Sequence, residues 1–95
     1  MLFNKYQSKL LQSMLDSIEA YRKGELPYYD LYSLEGTLDA GEFKNEKMVE
    51  QWYSYWTPLE IWSATKGNNV TIEDVNQNLS DMELFLNRLL LEDDN

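Results

Sequence analysis

The stretch Gln51–Ser63, QWYSYWTPLEIWS, decides how the rest of the chain is read. It holds all three tryptophans (Trp52, Trp56 and Trp62), two of the seven tyrosines and one of the two prolines. At about 100° per residue, Met48, Trp52, Tyr55, Leu59 and Trp62 share one helical face, with Trp56 at its edge. A helix carrying that much aromatic surface must be covered from several sides. Pro58 has no N–H to give and its ring crowds the preceding turn, so a kink or a break is expected between Tyr55 and Pro58.

Working outward, the chain offers three more helices. Tyr6, Leu10, Met14, Ile18 and Tyr21 recur at helical spacing, and Gly24 follows Arg22 and Lys23 where a left-handed cap is wanted. Pro27 suits a helix start, and Leu31, Leu34 and Leu38 mark a short amphipathic segment weakened by Gly36. Gly67 stops the aromatic helix. Thr71 and Asp74 then have capping-box spacing ahead of Ile72, Val75, Leu79, Met82, Leu86 and Leu89. The expected architecture is all-α: an up-and-down four-helix bundle in one domain spanning residues 1–95. Its helices lie near 4–23, 27–40, 45–66 and 72–91, with helix two short and helix three kinked near Pro58.

Composition narrows the function. Seventeen acidic residues against eight basic ones give a net charge of −9. Such a chain is repelled by nucleic acid and anionic membrane and drawn to basic partners. There is no histidine and no cysteine, which removes the commonest general base, the usual zinc ligands and thiolate chemistry. The di-metal carboxylate motif of helical bundles needs histidine as well. Glu35 and Glu60, each in a Leu-Glu dipeptide beside apolar residues, form one conceivable acid pair. The plainer expectation for them is an ion pair with Arg22, Lys23 or Arg88 that fixes helix register. No catalytic residue, cofactor site or metal site is assigned, and the expected chain is not an enzyme. With no secretion-type leader and no membrane-length apolar run, the reading is cytoplasmic.

Charge is unevenly placed. From Glu25 to Glu42 there are five acids and no base. With the leucines of helix two inward, Tyr28, Tyr32, Glu35 and Asp39 form a stripe along that helix, while Tyr29 and Asp30 lie off it. Tyrosines interleaved with carboxylates suit a protein interface that imitates a nucleic-acid backbone. Glu42 and Glu60 complete the candidate contact set. Leu84 and Leu91 fall away from the helix-four seam and could dock a further helix.

The pattern YRKGELPYYDLYSLEGTLDAG (Tyr21–Gly41) followed by WYSYWTPLEIWSATKGNNV (Trp52–Val70) resembles small bacterial immunity proteins of the colicin-D immunity type. It is similar, too, to those that accompany contact-dependent growth-inhibition toxins. The shared features are a helix ending in Tyr-x-x-Gly, a Leu-Glu helix, and an aromatic helix with Trp-x-x-Leu-Glu. The resemblance implies a cytosolic helical bundle that binds a cognate toxin domain, often a tRNase or other nuclease, and covers its active site or substrate groove. The alternatives are an acidic nucleic-acid mimic that inhibits a DNA-binding protein, and a helical interaction module. Either a monomer or a homodimer is compatible with a bundle of this size.

Overall fold

A computed structural model describes residues 3–32, 34, 41, 43 and 45–94. Among these residues the chain is all-helical, with four α-helices packed on one another: α1 (Lys5–Arg22), α2 (Tyr28–Tyr32), α3 (Glu46–Lys66) and α4 (Ile72–Asp94). A 3₁₀ turn over Gly67–Asn69 joins the last two. No helix of the described residues is long and apolar enough to cross a membrane.

Local chemistry sets the helix ends. Asn4 caps α1: its side chain accepts from the Gln7 N–H at 2.7 Å while the Gln7 amide oxygen accepts from the Asn4 N–H. This reciprocal pairing satisfies two of the donors that a helix start leaves without intrahelical partners. At the other end, Gly24 adopts φ +77°. The Glu25 and Gly24 N–H groups reach back to the carbonyls of Ala20 and Tyr21 at 2.9 and 3.0 Å. That is the Schellman arrangement, and the left-handed residue it requires is the expected glycine. Asn45 caps α3 through the Met48 N–H, and Gly67 at φ +57° closes it. At the start of α4, Thr71 and Asp74 form the anticipated reciprocal pair, at 3.0 and 3.2 Å.

The core is built from Leu11, Met14 and Ile18 of α1, Leu31 of α2, Trp52, Trp56 and Leu59 of α3, and a long seam on α4. Several expectations are corrected. Trp56 is 1% exposed and belongs at the centre of the aromatic face, not its edge. The buried residues of α3 step through Met48, Trp52, Trp56 and Leu59, while Tyr55 and Trp62 are half-buried flanks. Those flanks lean on α4: the Tyr55 ring lies 5.3 Å from Phe85 and the Trp62 indole N–H donates to Asn78. Phe85, 2% exposed, joins Leu86 in the α4 seam, whereas Ile72, in the first turn, is 36% exposed. On α1, Tyr6 is exposed. Stepping back four residues from Leu11 reaches Gln7, whose side-chain amide donates to the Gly41 carbonyl at 3.0 Å. The stripe therefore ends on a polar tie.

Helix α3 is unbroken across Pro58. The predicted second helix is described only as far as Tyr32, and the rest of 27–40, apart from Leu34, lies outside the described residues. Pro27 heads that helix from just outside it, its carbonyl accepting from Asp30 and Leu31.

Contacts fix how three of the helices run. Trp52 stacks on Phe85 and Trp62 meets Asn78, so α3 and α4 are antiparallel. Arg22, at the end of α1, reaches Asn76, Ser80 and Glu83 of α4. Phe3 and Gln7, at its start, lie in one cleft with Leu89 and Glu92. These two helices are antiparallel as well.

Candidate functional site

The end of the bundle formed by the α1–α2 turn, the last turns of α3 and the start of α4 holds every candidate contact residue that the structure describes. Leu31 is fully buried, which orients α2. One turn earlier, Tyr28 falls on the same side: its ring packs edge-on against Tyr21 at 5.9 Å and its hydroxyl donates to the Leu59 carbonyl. Tyr28 is thus half-buried, and it ties α2 to both α1 and α3. Glu60, next to that carbonyl in sequence, is exposed. The structure therefore brings Tyr28 and Glu60 to the same end, one as an anchor and the other as surface charge. Tyr32 closes α2. Glu35, Asp39 and Glu42 lie outside the described residues.

With Leu31 and Tyr28 turned in, the opposite side of α2 carries Tyr29, 77% exposed, and the exposed Asp30. These are the two residues that the stripe argument set aside. Tyr29 stands about 200° around the helix from Leu31, so the signal was present in the spacing.

Cations at this end are bound internally. Arg22 contacts Glu83 at 2.7 Å, Asn76 at 2.6 Å and Ser80 at 3.2 Å. Lys23 pairs with Glu19, and Lys66 pairs with Asp74 while lying over the Trp62 ring. The register-fixing pair expected for Glu60 is therefore made by Arg22 and Glu83 instead. A planar guanidinium donating to three side chains suits that task better than one surface carboxylate. The Asp74 carboxyl is held below its ordinary range, first by the Thr71 backbone N–H and then by the Lys66 ammonium. Burial, and then the nearby Asp74 charge, push the Tyr21 hydroxyl above its ordinary value.

Glu25, Asp30, Glu60 and Glu73 are exposed carboxylates, and Tyr29 and Ile61 are exposed as well. An exposed aromatic residue with a polar tip, next to a carboxylate in the chain, can bind a cationic protein surface. Of the candidate acid pair, Glu60 stands in solvent and Glu35 lies outside the described residues.

Comparison of the chain with protein-family models, curated proteins and solved structures finds no match. The likeness to immunity proteins rests on the sequence pattern.

Proposed function

We propose that this chain is a cytoplasmic immunity protein that neutralises a basic toxin domain, with a tRNase or other nuclease as the class. It would act as a binder rather than an enzyme. The observation that carries the reading is the exposed Tyr29–Asp30 pair on a helix pinned by Tyr28 and Leu31. Support comes from the −9 charge, from the internal pairing of Arg22, Lys23 and Lys66, and from the exposure of Glu25, Glu60 and Glu73. Tyr32, Glu35, Asp39, Glu42 and Glu60 belong to the proposed contact set, and Tyr28 acts as its structural anchor.

The proposed frame is an up-and-down bundle. The Gln7–Gly41 hydrogen bond, which sets Gly41 beside the start of α1, supports that frame. A bend in α3 at Pro58 is part of the same proposal. Pro58 leaves the Ser54 carbonyl without its helical donor, and the Thr57 hydroxyl bonds back to the Tyr53 carbonyl at 2.6 Å, a contact that often bends helices.

The test is a binding titration against the nuclease domain encoded beside this gene. Affinity should fall with added salt, and Asp30→Lys with Glu60→Lys should weaken it by about a hundredfold if both meet basic groups. An unchanged Kd for that correctly folded double variant would remove the site from this end of the bundle.

A further inference from the structure

At the end of the bundle away from α2, the start of α1, the start of α3 and the last turns of α4 surround a cleft of about 920 Å³. Pockets of roughly 300–1,000 Å³ suit small organic ligands. The apolar part of the wall is Phe3, Phe43, Met48 and Leu89. Phe3 and Phe43 meet edge to face at 5.2 Å, and the other two are nearly buried. The amide side chains of the wall are engaged within the chain: Asn4 with Gln7, Gln7 with Gly41, and Asn45 with Met48.

The rim differs. It carries Lys47 and Arg88, with Gln51 beside them and Glu92 as the single carboxylate among the described lining residues. Among the described residues, neither Lys47 nor Arg88 has a carboxylate within ion-pair reach. Arg88 is held with its guanidinium 5.7 Å from the Phe85 ring. In a chain of net charge −9, two such cations above an apolar floor select by sign. Two cations against one carboxylate match a single negative charge better than a dianionic phosphate.

We propose that this cleft binds an amphipathic monocarboxylate, with its apolar body against Phe3, Phe43, Met48 and Leu89 and its carboxylate between Lys47 and Arg88. The cleft lies at the opposite end from the Tyr29 surface, and the proposal stands independently of the toxin-binding reading.

Decanoate, titrated below its micelle concentration into the full chain, is the probe. Calorimetry should give a saturable one-to-one isotherm, and amide NMR shifts should centre on Met48, Gln51 and Leu89. Decanol and decylammonium should bind at least about tenfold more weakly than decanoate. The double variant Lys47→Ala with Arg88→Ala, both at exposed positions, should lose about tenfold for decanoate while Arg88→Lys retains most of it. No saturable binding, equal binding of decylammonium, shifts centred elsewhere, or an unaffected double variant would each overturn the proposal.

Discussion

The two ends of the bundle handle positive charge in opposite ways. Around α2, Arg22, Lys23 and Lys66 are each bound to a carboxylate of the same chain. Around the start of α3, Lys47 and Arg88 face a cleft instead. The molecule is 40 Å along its long axis, several times the Debye length of about 8 Å at physiological salt, so surface charge at one end is screened from the other. One small chain can therefore present an anionic surface and a cationic cleft without either cancelling the other. Within the first end, each of these cations is spent on a carboxylate of the chain itself.

The strongest challenge to this contrast is Arg22→Ala. It removes charge-assisted bonds from Glu83, Asn76 and Ser80 together, and it leaves the partly covered Glu83 unpaired. The expected cost is about 2 kcal/mol, read as a lower urea midpoint at constant slope. Arg22→Lys should recover only part of it, because an ammonium cannot reproduce the fork. A loss under about 0.5 kcal/mol, the level of an ordinary surface substitution, would reduce the Arg22 contacts to surface decoration.

At the cleft end, the corresponding tie is Gly41. A methyl group there would sit 2.6 Å from Leu10 Cδ2 and 2.7 Å from Phe43 Cε2, well inside contact distance. Gly41→Ala should cost about 1 to 2 kcal/mol by forcing the Phe43 wall outward. Chemical unfolding measures the loss. Shifts of the Phe3 and Phe43 resonances would show whether the cleft takes up the strain.

Asp74 gives a smaller effect with a definite sign. Its folded-state value lies below the ordinary 3.8, so the carboxylate adds stability above that pH and the contribution is lost as pH falls through the lower folded value. Asp74→Asn should therefore lower Tm at neutral pH, and the gap from the parent chain should close in acid. Part of the gap should also close with salt, because Lys66 is exposed and exposed charges are screened. A gap independent of pH would assign the effect to capping geometry alone.

How much of this was legible in the sequence follows from how local each cause is. The cap at Gly24, the Thr71–Asp74 pair and the seam from Val75 to Leu89 depend on neighbours within a turn or two, and they appear where periodicity places them. Trp56, Phe85 and Tyr6 depend on which helix lies opposite, which a single-helix wheel does not contain. Arg22 and Glu83 are 61 residues apart, and Gln7 and Gly41 are 34. No spacing rule reaches that far. The site divided in the same way. Acidity around α2 was plain from composition, but which of Tyr28 and Tyr29 turns inward required knowing that the Tyr28 hydroxyl finds the Leu59 carbonyl. The cleft has no sequence signature, since its residues come from three separate segments.

The smallest effect is the most discriminating between the two ends. Lys47 is exposed and, among the described residues, makes no ion pair. Lys47→Ala should therefore change stability by no more than about 0.5 kcal/mol. Lys66→Ala removes a cation of the same kind, but one that bonds both oxygens of Asp74 and lies over Trp62, and it should cost measurably more. Side-by-side unfolding of the two variants at low and moderate salt separates a cation that helps hold the fold from one left over for a ligand. If both variants lose the same stability and respond alike to salt, Lys47 has a structural partner and is not a spare charge above the cleft.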